Sequence, residues 1–309
     1  MSDAQRVLVV GGTGLIGSTV AEELARRGYD VAVAGRNRPQ ADAPAAAYRW
    51  VEGDYTQPGW DERLRGFDAV VFSAGQDIRH VGPHASAATW EDVQTASLPA
   101  FFAEAREAGV GRAVLVGSYY HQVLPALAET NAYVRARAEA ERGVLALAAP
   151  GFAVCAVNPP NVVGAIQGRP LRAFAKMVRW ARGEMADAVP DCAPHGGTNY
   201  MSVHAVAAAV AGAVERGASG RAYLIGDENL SFQGYFQALF DAAGAGRTVG
   251  VCDEDHAFLP DDYLVAGKGT TIAYEPDPAE TALLGYQRGD LATTLRTMVA
   301  AADALPASR

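Results

Sequence analysis

The sequence predicts an α/β protein: a doubly wound parallel sheet with a smaller C-terminal lobe. Three observations predict it. Short β-branched runs alternate with helical stretches through the first half of the chain. The runs are continuously apolar, as strands covered by helices on both faces must be. The first run also passes directly into a glycine-rich turn that opens a helix.

Taken in order, residues 6–10 form the first strand. Residues 15–27 have helical spacing and stop at Gly28, which can take the left-handed conformation that closes a helix. Residues 30–34 and 48–52 are the second and third strands, the latter ending at Gly53 and Asp54. Residues 58–64 form a short helix and 69–73 the fourth strand. Residues 90–108 read as a long helix, interrupted or bent near Pro99 because proline lacks an N–H and crowds the preceding turn. Residues 113–116 are the fifth strand, 131–148 a second long helix, and 152–157 a sixth strand stopped by Asn158-Pro159-Pro160. After Gly164 the pattern loosens. Helices are predicted at 171–181, 203–214, 231–243 and 292–303, with a loop over 185–197 and a strand at 222–225. The expected organisation is one domain over 1–164 and a lobe over 165–309 grown from it, with 221–226 returning as a strand to the first sheet.

Composition narrows the function classes. With 309 residues, half of them hydrophobic, the chain can bury a large core in one or two domains. A net charge of −9 does not suit a phosphate-backbone binder, so no nucleic-acid partner is expected. The longest apolar stretch, 205–214, is too short to span a bilayer, and the polar start is not a signal peptide, so no membrane association is expected. Cys155, Cys192 and Cys252 are far apart, odd in number and without metal-ligand spacing. A reduced, cytoplasmic setting is expected. His80 and His84 are four apart but separated by Gly82-Pro83, so no metal site is expected.

The turn after the first strand places glycines at 11, 14 and 17. Gly11 permits the tight turn, Gly14 lets the backbone approach a pyrophosphate, and Gly17 allows close helix–strand packing. The diphosphate then sits on the N–H groups at the positive helix end. This is a Rossmann-type βαβ unit, with Gly11, Thr13, Gly14, Leu15, Ile16 and Gly17 as candidate cofactor contacts. About twenty residues on, the second strand ends in Ala34-Gly35-Arg36-Asn37-Arg38, with no acid for a ribose 2′-hydroxyl. Arg36, with Asn37 beside it, suits a 2′-phosphate instead, so NADP(H) is the preferred cofactor and NAD(H) a possible one.

The fifth strand runs into Gly117-Ser118-Tyr119-Tyr120, and fifteen residues after Ser118 comes Tyr133-Val-Arg-Ala-Arg137. Tyr133 and Arg137 are four apart on a predicted helix and share its apolar face with Ala140, Val144 and Leu147. A nearby cation lowers a phenol's pKa, which lets Tyr133 exchange a proton with a carbonyl or alcohol oxygen. Ser118 can donate a hydrogen bond to the same oxygen. A competing reading makes Arg137 a partner of Glu141, one helical turn on. His121 reads as a surface or supporting residue, and one of Tyr119 and Tyr120 as core.

At these residues the chain resembles the extended short-chain dehydrogenase/reductase superfamily, which includes epimerase/dehydratase-like and dihydroflavonol-reductase-like enzymes. The resemblance covers most of the chain. It rests on Gly11-x-x-Gly14-x-x-Gly17, Gly53-Asp54, Ser73-Ala74-Gly75, Ser118, Tyr133, Asn158-Pro-Pro-Asn-Val-Val-Gly164, Asn199-Tyr-Met-Ser-Val-His204 and Tyr223-Leu-Ile-Gly226. It implies that Asp54, with Tyr55 next to it, meets the adenine. It implies that Ser73, Ala74 and Gly75 line the cofactor cleft, that Pro159, Asn161 and Val162 flank the nicotinamide, and that Ser118 and Tyr133 are catalytic. Arg137 stands where the superfamily has a lysine. An arginine can hold a ribose and lower the tyrosine pKa, but it stays protonated and joins a proton relay only through hydrogen bonds and charge. His204 stands where many relatives have an acid.

On the substrate side the candidates are residues 76–80, Tyr119, Tyr120, Asn161, Met177, Trp180, Met185 and Tyr200, many of them aromatic or apolar. Arg169, Arg172, Arg179 and Arg182 read as a solvated helix face rather than a diphosphate clamp. The expected function is an NADP(H)-dependent oxidoreductase that interconverts a ketone or aldehyde and an alcohol on a fairly hydrophobic small molecule by direct hydride transfer. Tyr133 is the general acid/base. Two alternatives stay open: a nucleotide-sugar epimerase or dehydratase with tightly bound NAD, and a non-catalytic NADP-sensing regulator. By the resemblance, helices 90–108 and 131–148 offer a homodimer interface.

Overall fold

A computed structural model describes residues 4–166 and 172–304. Strand β1 (Arg6–Val10) leads through the glycine turn into α1 (Leu15–Arg26). Next come β2 (Asp30–Gly35), β3 (Arg49–Glu52), α2 (Trp60–Leu64) and β4 (Ala69–Phe72). The short helices α3 (Ile78–Val81) and α4 (Ala87–Trp90) precede α5 (Ser97–Glu107) and β5 (Arg112–Val116). After these come α6 (Tyr120–Val123), α7 (Leu127–Thr130), α8 (Ala132–Leu145) and β6 (Ala153–Asn158). These six strands and a seventh, Ala222–Leu224, form one parallel sheet. Its order is seventh, β6, β5, β4, β1, β2, β3. The fold is therefore a Rossmann-like α/β fold. Strand order reverses between β1 and β4, and in such sheets ligands bind in the crevice at the carboxyl ends there.

β1 shows why the strands read as unbroken apolar runs. Val7 and Val9 enter the core beneath α1, while Leu8 and Val10 enter the opposite core with residues of α2, α5 and α8; all four are almost fully buried. Both faces exclude water, so no polar alternation survives.

The long helix expected over 90–108 is not continuous, and the break is not at Pro99. Residues Glu91–Thr95 form a π-helical turn between α4 and α5. Pro99 is the third residue of α5, inside the first turn, where a missing N–H forfeits no intrahelical bond.

The rest of the chain builds the lobe from β7 (Asn161–Val163), α9 (Arg172–Ala181), β8 (Cys192–Pro194), β9 (Gly197–Ser202) and α10 (Val203–Arg216). It continues through the returning strand β10 (Ala222–Leu224), β11 (Glu228–Ser231), α11 (Phe232–Ala242), β12 (Gly250–Cys252), α12 (Pro278–Leu284) and α13 (Leu291–Asp303). β11, β9 and β7 form a three-stranded sheet, and β8 pairs in parallel with β12. α10 leaves the lobe to pack on α1 against the main sheet. β9 has no sequence signature because it buries polar residues. Thr198, Asn199 and Ser202 meet Tyr119 Oη (2.8 Å), Asn229 Oδ1 (2.8 Å) and Asp290 Oδ2 (2.7 Å), bonds that tertiary structure alone supplies.

The thiol expectation is corrected. Cys192 and Cys252 form a disulfide, and Cys155 alone is free and buried. Sixty positions separate the pair, but β8 and β12 lie side by side and set Cys192 level with Gly250. Among the described residues no helix is long and apolar enough to cross a membrane, and no group of three or more His, Cys, Asp or Glu side chains is placed to hold a metal ion.

Candidate active site

The glycine turn has the shape its sequence implies. Gly11 has φ +83°, and a Cβ there would lie 2.7 Å from the Ala74 nitrogen. A Cβ on Gly17 would lie 2.2 Å from the Gly11 carbonyl, which already accepts from Gly14 N–H (2.9 Å). A Cβ on Gly14 would meet only that carbonyl, at 3.3 Å, so space in front of the helix is open. Gly14 is the N-cap of α1, with no side-chain cap and no acid in the first turn. The first N–H groups of α1 therefore face an open cradle that fits a diphosphate. Ser73 closes the floor: its backbone N–H and its hydroxyl both donate to the Val10 carbonyl (2.9 Å each).

Arg36 and Asp54 face a shallow hollow with Glu52, Gly53 and Arg63. Arg63 was not singled out in the sequence. It is held there by hydrogen bonds to the Glu52 and Gly59 carbonyls. Asp54 Oδ1 accepts from Thr56 N–H (3.0 Å) and Oγ1 (2.9 Å). Thr13 stands in the glycine turn, Asn37 is exposed beside Arg36, and Ala74 packs against Gly11. Tyr55 is a different case. Its ring is turned into the core against Phe72, its hydroxyl donates to the Val93 carbonyl (2.9 Å), and burial pushes its phenol up to about 12. Any contact it makes with a cofactor runs through its backbone, because the side chain is committed to packing.

A cleft of about 1010 Å³ extends from the glycine turn to the lobe and brings together Gly14, Leu15, Ile16, Ser73, Gly75, Ser118, Tyr133, Arg137, Pro159, Asn161 and Val162. Asn131 caps α8, its Oδ1 accepting from Val134 N–H (3.2 Å), so Tyr133 sits in the first turn. The Tyr133 ring packs 5.0 Å from Trp90 and is 7% exposed. Burial raises its pKa above the ordinary value. The Arg137 charge, a hydrogen bond with Ser118 and the Arg79 charge act in the opposite direction, while Asp77 reinforces the rise. Arg137 thus acts in the sense expected from sequence, but desolvation outweighs it.

Arg137 does not pair with Glu141. Its guanidinium reaches under the cleft floor, donating to the Gly117 carbonyl (2.5 Å), the Val116 carbonyl (3.5 Å) and Gln94 Oε1 (3.4 Å). Gly75 makes room, since a Cβ there would lie 2.6 Å from the guanidinium. Gln94 is fully buried within the π-helical turn and also donates to the Gln76 carbonyl (2.5 Å). Sequence reading missed it; the irregular helix around it was the available signal, since π-turns often mark functional positions. Glu141 is bound instead by Asn158 (2.6 Å) and His121 (3.0 Å), beneath Gly117. That gives His121 a supporting place.

Towards the lobe the cleft is aromatic and apolar. Tyr119 is 2% exposed, yet it and Tyr120 both line the cleft, their rings 4.3 Å apart and tilted by 34°. Asn161, Met177 and Tyr200 line it as expected, and Asp77 and Arg79 form an ion pair (2.7 Å) at its wall. Trp180 and Met185 do not line it. Trp180 is fully buried between Phe236, Phe240 and His256, and Met185 packs on the same core. Arg179 and Arg182 make surface ion pairs with Glu184 and Asp303, away from the cleft. Arg169 and the side chains of His80 and Arg172 lie outside the described residues. The sequence reading also missed Tyr235 and Phe236, whose helix α11 reads as ordinary core, and the loop around Phe258–Ile272, which has no periodicity to reveal its role.

Comparison with known proteins identifies the family and relates the fold to solved structures. Residues 7–226 match the NAD dependent epimerase/dehydratase family. Sterol demethylase protein B of Methylococcus capsulatus is 26% identical over 257 residues, 78% of this chain and 75% of that protein. Among solved structures, UDP-N-acetylglucosamine 4-epimerase from Bacillus cereus superposes with TM-score 0.73 at 15% identity, covering 97% of this chain and 99% of that one. UDP-glucose-4-epimerase from Stenotrophomonas maltophila, solved with bound NAD, superposes with TM-score 0.72 at 21% identity, covering 97% and 98%. The match over residues 7–226, on a parallel sheet with a glycine cradle, shows that the chain belongs to the NAD-dependent epimerase/dehydratase family.

Proposed function

We propose that this protein is an NADP(H)-dependent reductase or dehydrogenase acting on an apolar ketone or aldehyde and its alcohol. The observation that carries the reading is the composition of the cleft. Among the described residues, Ser118 and Tyr133 face a chamber lined mainly by aromatic and apolar side chains, and the cations that line it are Arg79, paired with Asp77, and Arg137, bonded to the Gly117 carbonyl. An apolar carbonyl compound packs against such rings, which the described residues supply. The relationship to a protein named for sterol demethylation supports a large apolar substrate.

The glycine cradle and the Arg36–Arg63 hollow hold the dinucleotide, the two guanidinium groups taking a 2′-phosphate. Bound there, the nicotinamide supplies or accepts the hydride. Tyr133 gives its proton to the carbonyl oxygen during reduction and recovers one during oxidation, and Ser118 donates a hydrogen bond to that oxygen. Arg137 holds positive charge next to the phenol and, through the Gly117 carbonyl, steadies the turn that presents Ser118. Absorbance of NADPH during incubation with a panel of cyclic and aryl ketones tests the reading. Consumption with apolar ketones supports it. Protein-bound NAD with epimerisation of a sugar nucleotide, or tight NADPH binding with no turnover of any carbonyl, refutes it.

A further inference from the structure

Residues 253–270 link β12 to the Gly197–Thr271 bridge, and both their ends are pinned to one short segment. At one end the Cys192–Cys252 disulfide and the β8–β12 pairing fix the chain to residues 192–194. At the other, Gly269 N–H donates to the His195 carbonyl (3.2 Å), Gly197 N–H to the Thr270 carbonyl (3.1 Å) and Ile272 N–H to the Gly197 carbonyl (3.0 Å). The result is an Ω-like strap with its own internal ties: Asp255 accepts from Asp261 N–H (2.7 Å), and Lys268 pairs with Asp261 (3.0 Å).

The strap reaches over the cleft. Near its root, His256 is 2% exposed and packs 5.1 Å from both Trp180 and Phe236, anchoring the strap in the lobe core. Farther along, Leu259, Tyr263 and Leu264 line the cleft. Its tip crosses to the opposite wall, where Val265 joins the cluster that contains Trp90, Tyr120 and Tyr133, and Asp262 meets His84 (3.3 Å). The strap lies beyond residues 7–226, the part of the chain that matches the family model.

We propose that the strap of residues 253–270 is the substrate-specificity element of this enzyme, and that the Cys192–Cys252 disulfide is the latch that holds it over the cleft. The proposal rests on the reading of the cleft as a site for an apolar carbonyl compound. The strap adds Leu259, Tyr263 and Leu264 to the apolar and aromatic side chains that face such a compound. Its covalent root limits the conformations open to the strap before binding, so less ordering accompanies binding. Reduction by a dithiol converts the disulfide to two thiols, with the dithiol oxidised to its cyclic disulfide. The strap then keeps only its non-covalent ties: the β8–β12 pairing, the hydrogen bonds at the other end and the packing of His256.

The test uses the full chain and prodan, a fluorescent apolar ketone, with binding followed by its emission and turnover by NADPH absorbance. Alkylation of unreduced protein is expected to leave Cys192 and Cys252 unmodified. Dithiothreitol treatment, and separately the Cys192→Ser/Cys252→Ser double variant, are expected to weaken prodan binding by about tenfold while leaving NADPH binding intact. The reductant should have no further effect on the double variant. Leu264→Trp, which fills the chamber but spares the latch, is expected to weaken prodan binding by about as much. Free thiols at 192 and 252 in the unreduced protein, or unchanged prodan affinity in the reduced protein, the double variant or Leu264→Trp, overturns the proposal. Prodan that binds with these differences but is never reduced, in a protein that turns over no carbonyl compound, supports the strap and sinks only the assignment of the reaction.

Discussion

The guanidinium of Arg137 lies 2.5 Å from the carbonyl of Gly117, the residue immediately before Ser118. One side chain on α8 therefore couples the helix that carries Tyr133 to the turn that carries Ser118. An arginine spans this gap with a planar fork, bonding the Val116 and Gly117 carbonyls and Gln94 together, which a single ammonium group of shorter reach does less well.

Arg137→Lys is therefore expected to lower kcat by roughly ten- to a hundredfold, the range of one to two charge-assisted hydrogen bonds, with a smaller effect on NADPH binding. Steady-state kinetics beside a fluorescence titration of NADPH measure the two separately. Unchanged kcat would mean that the fork has no part in presenting Ser118 and Tyr133.

Tyr133→Phe removes the proton donor and keeps the ring packed against Trp90. The expected loss in kcat is about 10²- to 10⁴-fold, with NADPH affinity and thermal stability close to wild type. Near-normal turnover would refute the assignment of the phenol as acid and base.

The pH profile follows from the direction of the Tyr133 shift. Burial raises its pKa, so the phenol keeps its proton through neutral pH. Carbonyl reduction uses the protonated form and is expected to stay level from about pH 6 to 9, falling only above the ordinary tyrosine value of about 10. Alcohol oxidation uses the phenolate and is expected to rise with pH across the same window. Initial rates in both directions across that range check the sign.

Arg36→Ala is expected to weaken NADPH by roughly ten- to a hundredfold and to leave NADH unchanged, since a guanidinium–phosphate bond is worth about 1.5–3 kcal/mol and the two cofactors differ only in the 2′-phosphate. Arg63→Ala should act in the same direction. Equal effects on both cofactors would mean that the hollow does not read the 2′-phosphate.

Burial lowers the pKa of His256, so its folded value lies below the ordinary value of about 6.5. The unfolded chain then takes up this proton first, and stability is lost as pH falls from about 6.5 towards the lower folded value. Thermal melts from about pH 7.5 to 5 should show this loss, and it should be smaller in His256→Leu. An identical pH slope in the two proteins would assign the acid sensitivity elsewhere.

The first six strands of the main sheet and the dinucleotide cradle are legible in the sequence. Those features are local: a strand buried on both faces must be apolar at every position, and Gly11 and Gly17 are required by contacts within the turn and with the residues just after β4. The sequence also placed Tyr133 and Arg137 on one helix face, because a separation of four is a helical property. Tertiary structure alone decided the partners of Arg137, the pairing of Cys192 with Cys252 and the wall of the substrate chamber. Each joins residues from distant segments, and local periodicity carries no information about them. β9 looks polar because its hydrogen-bond partners arrive from Tyr119, Asn229 and Asp290. The strap has no period, because what holds it is its pinned ends, its internal ties and the packing of His256 rather than a long helix or strand.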